Sequence, residues 1–177
     1  MKKNYLLPVL IIWLALLLGC KKDDLPKPTQ IGADTFGCKA NGINWIPDGS
    51  SGPTPLHPVE GGYQVNYGVY IRAYKKRNNV NEAIQIFLNN VTKPGTYSLN
   101  YDTPYYPQAL MAKNHATYAN YNSNSFYGTT AEVGGTVIIT RADTVAKIVS
   151  GTFSFNAVDT NGNQIKITGG RFDVSNK

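Results

Sequence analysis

From residue 34 onward, apolar and polar residues alternate with a period of two, and no segment sustains the 3.6-residue period of an amphipathic helix. Successive side chains of a strand point to opposite faces, so this pattern predicts strands with one buried face. Phe36, Cys38 and Ala40 share a face, and Asn41-Gly42 follows. That dipeptide accepts the two positive φ angles of a tight hairpin turn. Ile43-Asn44-Trp45-Ile46 returns from it until Pro47 stops the strand. Residues 48–62 are rich in Gly and Pro and read as a long loop. Tyr63, Val65, Tyr67, Val69, Ile71 and Ala73 then line one face of an expected long strand, with 83–88 as its return. Further strands are expected at 96–101, 115–121, 125–131, 136–140, 148–157 and 164–168, the last bending at Gly169-Gly170 into 171–174, with turns at Lys93-Pro94-Gly95 and Asn161-Gly162.

About ten short antiparallel strands in a row predict an all-β β-sandwich or flattened up-and-down barrel. Consecutive hairpins favour the up-and-down order. The chain has 177 residues, enough for one such domain to bury a full core without disulfides. A charged fraction of 16% beside a hydrophobic fraction of 42% excludes a disordered chain. Two cysteines and two histidines exclude a disulfide scaffold and a cysteine-rich zinc site.

Before residue 34 the chain reads as an address. Met1-Lys2-Lys3-Asn4 is basic, and Leu6 to Leu18 forms an apolar core of 13 residues. A membrane-spanning helix needs about 20, so this is a signal peptide. It ends Leu17-Leu18-Gly19-Cys20, which resembles the lipobox of bacterial lipoproteins. The resemblance implies a signal peptide over 1–19 and a diacylated Cys20 as the mature N-terminus. Lys21-Lys22-Asp23-Asp24 resembles the surface-export signal of Bacteroidota lipoproteins. Residues 20–33 are expected to form the lipidated cysteine and a flexible tether, extended through Pro26 and Pro28, and 34–177 the all-β domain. The expected location is the outer membrane, facing the cell surface, with the membrane engaged only through lipid.

Phe36-Gly37-Cys38-Lys39-Ala40-Asn41-Gly42-Ile43-Asn44-Trp45 resembles the opening of a family of Bacteroidota lipoproteins of unknown function. Gly95-Thr96-Tyr97-Ser98-Leu99, Ser150-Gly151-Thr152-Phe153-Ser154-Phe155 and Ile167-Thr168-Gly169-Gly170-Arg171-Phe172 are similar to its later blocks. The resemblance implies an exported all-β domain and no particular chemistry.

Catalytic signatures are absent from the sequence. Cys38 alternates with Phe36 and Ala40 and is expected to be a buried, reduced thiol. His57 and His115 belong to no metal motif, and Trp45 needs a partner for its indole N–H if buried. Asp159, Asn161 and Asn163 match the first ligand positions of a helix-loop-helix calcium site, but Gln164 and Gly170 occupy its glycine and glutamate positions, so a β-turn is expected. Glu60, Glu82, Asp102 and Glu132 are the acids from which a hydrolase pair could be drawn. Neither enzyme activity, a metal nor a cofactor is expected. Lys75-Lys76-Arg77 reads as a solvated loop tip, so nucleic acid is not an expected partner.

The stretch 101–127 combines Tyr101, Tyr105, Tyr106, Tyr118, Tyr121, Phe126 and Tyr127 with Asp102 and several Asn. Tyrosine offers a rigid ring with a polar tip, and asparagine offers both donor and acceptor. These tyrosines are the expected rim of a site for a carbohydrate or protein ligand. The alternative expectation is a structural or assembly accessory lipoprotein of an envelope complex, and a hydrolase stands behind both.

Overall fold

A computed structural model describes residues 25–49, 55, 57–76, 80–103 and 113–176. Among the described residues there are eleven strands and one short 3-10 turn, so the fold is all-β. The strands are β1 (Thr35–Ala40), β2 (Ile43–Trp45), β3 (Val59–Tyr63), β4 (Val69–Lys75), β5 (Glu82–Leu88), β6 (Gly95–Ser98), β7 (His115–Asn120), β8 (Ser125–Gly128), β9 (Gly135–Asp143), β10 (Ile148–Val158) and β11 (Gln164–Ser175).

They form one continuous sheet in the order β2-β1-β11-β10-β8-β7-β5-β4-β3, with β9 and β6 branching from β10. β10 makes the branch possible because it is long. Residues 148–155 pair with β9, whereas Val158 at the far end pairs with Gly128 of β8. The whole strand pairs with β11 on its other side. The expected up-and-down order holds within β3-β4-β5, β7-β8 and β9-β10-β11. It fails where β6 crosses to β9 and where β1 closes against β11.

The Asn41-Gly42 turn has φ of 48° and 82°, the two positive values the dipeptide was expected to accept. In β11, Gly169 adopts φ 59° and inserts one extra residue opposite both β1 and β10. A bulge of this kind bends the strand and keeps Ile165 and Ile167 on the same buried face as Phe172 and Val174.

Two expectations are corrected. The long strand over 63–73 is the end of β3, a tight turn, and β4. Asn66 and Tyr67 carry the turn with φ of 55° and 57°. The Gly- and Pro-rich stretch before it contains β3 as well as loop. The expected partner was right: β4 pairs β5 with Ile71 opposite Ile86.

The sheet curls until its ends meet at a seam made of individual hydrogen bonds rather than a full ladder. Asn176 accepts from the Tyr63 amide at 2.5 Å and donates to the Tyr63 carbonyl at 2.7 Å. At the other end of the seam the amides of Asp48 and Gly49 both donate to the Tyr74 carbonyl at 3.0 Å. Inside lie Phe36, Trp45, Phe153, Phe155 and Phe172, with Ile71, Ile84, Ile86 and Leu88 from the facing strands. Phe153 holds Phe36 at 5.0 Å and Phe172 at 6.2 Å between ring centres. Cys38 is fully buried and unpaired. Trp45 is buried, and its indole N–H donates to Glu82 Oε2 at 2.6 Å.

Residues 25–33 run without regular structure but lie on the sheet. Leu25 is buried. Asp173, itself buried, accepts from Thr29 Oγ1 at 2.6 Å and from the amides of Ile31, Gly32 and Ala33 at 2.9–3.1 Å. Ser150 Oγ donates to the same carboxylate at 2.7 Å, and Arg141 donates to the Gln30 carbonyl.

Candidate ligand-binding cleft

Antiparallel register decides what the outward face of β4, β5, β7 and β8 displays. Arg72 is opposite Gln85, Gln85 opposite Thr117, Thr117 opposite Gly128, and Gly128 opposite Val158. Residues paired in this way share a face, so the five side-chain positions form one row across the sheet. Their strand neighbours Ile71, Ile84 and Ala116 enter the core. A cleft of about 430 Å³ opens over this row. It is bordered by Asp102 and Thr103, by Tyr121 and Phe126, by Thr129 and Thr130, and by Asp159 and Thr160 of the β10–β11 turn.

The border is built by short-range bonding. Thr129 is fully buried and bridges segments: the Ala116 amide donates to its Oγ1 at 3.2 Å, and the Thr103 amide donates to its carbonyl at 3.0 Å. Thr103 packs where a side chain at position 128 would stand, 2.9 Å from an added Cβ, so Gly128 lets this segment approach. Asp102 Oδ1 accepts from the Ala131 amide at 3.1 Å. Asp159 accepts from the amides of Asn161 and Asn163 at 2.9 and 2.8 Å. The Asp159–Asn163 stretch is the expected β-turn, and no cluster of three metal-ligating side chains occurs among the described residues.

Arg72 is the one cationic side chain among the residues that border the cleft. Its guanidinium lies 5.3 Å from the Tyr70 ring centre and 5.4 Å from that of Tyr74. Nη1 donates to the Tyr74 hydroxyl at 2.6 Å. Gln85, with its amide oxygen turned to the guanidinium, accepts from Nε at 2.8 Å and Nη2 at 3.0 Å. No carboxylate lies within ion-pair distance of Arg72 among the described residues. Burial, partly offset by the Arg72 charge, pushes the Tyr70 phenol well above its usual range, so it stays neutral.

The expected rim tyrosines separate into three groups. Tyr121 is 42% exposed at the cleft, braced edge-on by Phe126 with ring centres 5.7 Å apart. Tyr101 is equally exposed and sits next to Asp102, with Lys113 Nζ 5.3 Å from its ring. Tyr118 is 7% exposed and belongs to the core cluster, with Tyr127 packed half-buried beside it at 5.9 Å, and both also line the cleft. Burial, then the neighbouring Glu82 carboxylate, raises the Tyr118 phenol well above its usual range. Tyr105, Tyr106 and Cys20 lie outside the described residues.

Of the candidate acids, only Asp102 borders the cleft; Glu82 is committed to Trp45 and to Asn120 Nδ2 at 3.4 Å. His57 is exposed in its loop. His115 is buried against Phe87 at 5.5 Å and donates from Nδ1 to the Lys113 carbonyl at 2.9 Å. Sequence reasoning missed Arg72 and Gln85. The signal was present in Tyr70-Ile71-Arg72-Ala73-Tyr74, where period two places an arginine between two tyrosines on the face opposite the core residues.

A family model described as a domain of unknown function (DUF6252) matches residues 63–174. The chain belongs to this family. The matched span contains every residue that borders the cleft, and β1, β2 and the docked segment 25–33 precede it. No curated protein and no solved structure matches the chain.

Proposed function

We propose that this chain is a lipid-anchored binding module on the cell surface, held at the outer membrane through Cys20, and that its cleft takes a carbohydrate. One observation carries the ligand class. An exposed tyrosine, Tyr121, stands beside a floor of guanidinium, amide and hydroxyl groups from Arg72, Gln85 and Thr117. A ring that stacks on the apolar face of a sugar, next to fixed donors and acceptors for its hydroxyls, suits a saccharide more than an apolar ligand. Support for the anchor comes from the basic start, short apolar core and Leu17-Leu18-Gly19-Cys20. Support for surface display comes from Lys21-Lys22-Asp23-Asp24 and its likeness to the export signal of Bacteroidota lipoproteins. An assembly role through sheet-edge pairing has less to build on, because the edge strands β2, β3 and β6 have three, five and four residues.

Tyr121→Ala and Tyr118→Ala test the carbohydrate reading on a glycan array. The first is expected to lose retention with an unchanged melting temperature. The second is expected to lower the melting temperature, because it empties a core position. Retention unaffected by Tyr121→Ala overturns the reading. Mass spectrometry of the native N-terminus tests the anchor, and an unmodified residue 20 rejects it.

A further inference from the structure

The geometry points to a sugar carrying a single carboxylate, a uronic acid residue, as the ligand, with Arg72 as the group that recognises the acid. This rests on the carbohydrate reading of the same cleft. A guanidinium has five N–H donors. The Tyr74 hydroxyl takes one from Nη1, and Gln85 takes those of Nε and one of Nη2. The Tyr70 hydroxyl also bonds to the guanidinium, so most of its donors are engaged, while its positive charge meets no carboxylate among the described residues. A ligand carboxylate meets that charge, and a charge-assisted bond to it is stronger than a bond to a neutral hydroxyl.

The surroundings favour that use. The Tyr70 and Tyr74 rings hold the guanidinium in place, so little freedom remains to be lost on binding. Arg72 is half-buried and lacks a carboxylate partner within the described chain, and a cation in such a setting binds an incoming anion more strongly than one in open water. The Tyr121 phenol lies close enough to interact electrostatically with Arg72, so the stacking ring and the cation address one small molecule.

The remaining charges restrict the acid further. Asp102 and Asp159 border the same cleft, each with amide donors from its own loop. They can accept sugar hydroxyls, and they repel a second negative charge on the ligand. The cleft therefore has a cationic part at Arg72 and an anionic border. A ligand with one acid and several hydroxyls matches this layout, whereas a densely sulfated chain does not.

The test uses the full chain on an array of uronate oligosaccharides, their carboxyl-reduced counterparts and sulfated oligosaccharides. Uronates are expected to be retained at least tenfold better than the reduced sugars. Arg72→Lys keeps the charge but loses the planar guanidinium held against the Tyr70 and Tyr74 rings, and it is expected to erase most of that preference. Gln85→Glu places a carboxylate where the amide accepts from Arg72, satisfying the guanidinium internally, and it is expected to do the same without disturbing the fold. Melting temperatures are read in parallel. Equal retention of uronates and reduced sugars overturns this inference while leaving the cleft as a neutral-sugar site. Retention of sulfated sugars alone overturns the choice of acid. An unchanged uronate preference in both variants rejects Arg72 as the recognising group. No retention of any saccharide overturns the carbohydrate reading itself.

Discussion

A thiol that burial pushes up to about 12 holds almost no thiolate at neutral pH, and Cys38 is such a thiol. It fills a core position between Phe36 and Trp45 rather than serving as a nucleophile. Cys38→Ser is expected to cost about 1–3 kcal/mol, the penalty for a hydroxyl in an apolar site, and to leave glycan retention unchanged. Denaturant titration measures the first and the array the second; rapid labelling of the folded protein by a thiol reagent contradicts both. Two other buried groups make stability depend on pH. Burial lowers the His115 pKa below its ordinary 6.5, so the folded state binds fewer protons than the unfolded chain, and stability falls as pH drops below that value. Burial works against ionising Asp173, but the bonds from Thr29, Ser150, Ala33 and Gly32 outweigh it and hold the carboxyl down to about 2 from 3.8. Its contribution is complete above about 4 and is lost between there and pH 2. Melting curves across pH are expected to show both losses, with His115→Phe removing the one near neutrality and Asp173→Asn the one in strong acid. At this scale the alternation was informative: it placed Cys38 inward, whereas Trp45, open in the sequence between core and rim, is settled as buried only by the fold. Applied to β7, the same rule puts Tyr118 with Ala116 on the buried face and leaves Tyr121, beyond the strand, for solvent. Tyr118, Tyr121 and Tyr127 thus meet at one cleft, but only Tyr121 stands exposed there.

Elements were legible where a turn carries its own signature. Asn41-Gly42 marks its hairpin because both residues tolerate positive φ. The β3–β4 turn is hidden because Asn66 and Tyr67 adopt positive φ while the apolar–polar rhythm runs on through them. Tyrosine seldom takes that conformation, so nothing in the sequence interrupts the apparent strand. The cleft is illegible for a different reason: Arg72, Gln85, Thr117 and Gly128 become neighbours only through three successive registers. The seam is also a product of three-dimensional closure, since Asn176 reaches Tyr63 across 113 positions. β3 has a ladder on one side only, to β4, so those two bonds secure its other side. Asn176→Ala is expected to destabilise the protein by about 1–3 kcal/mol, as two net hydrogen bonds are lost. The loss should be local, with amide exchange accelerating in Val59–Tyr63 and not in β10 or β11. Uniform acceleration across the sheet contradicts a local seam.

For the whole molecule, the docked segment would set how far the β-sheet stands from a membrane under the lipid anchor proposed above. Leu25 is buried on the sheet, and five residues of chain lead to it from Cys20. Even fully extended, five residues reach about 18 Å. Under the anchor proposed above, a lipid on Cys20 would hold the sheet close to the headgroups, with Asp173 as the clamp that keeps residues 29–33 on the sheet. Proline content at 26 and 28 made extension of this segment legible, but not its attachment, which depends on an aspartate some 140 residues later in the chain. Asp173→Ala removes five bonds that converge on one carboxylate, and with them the reason for Ile31, Gly32 and Ala33 to stay on the sheet. The leash then lengthens to Asp34, fourteen residues from Cys20, a reach of up to about 50 Å. The full chain, lipidated and reconstituted in vesicles, is the sample in which to measure this. Amide exchange at residues 31–33 is expected to speed up at least tenfold in Asp173→Ala. Energy transfer from a dye on the β10–β11 turn to a headgroup acceptor is expected to weaken at the same time. Asp173→Glu, which keeps the charge but shifts the carboxylate, should fall between the two. Faster exchange with unchanged energy transfer would show that Leu25 alone holds the sheet at the membrane, and unchanged exchange would remove Asp173 from the clamp altogether.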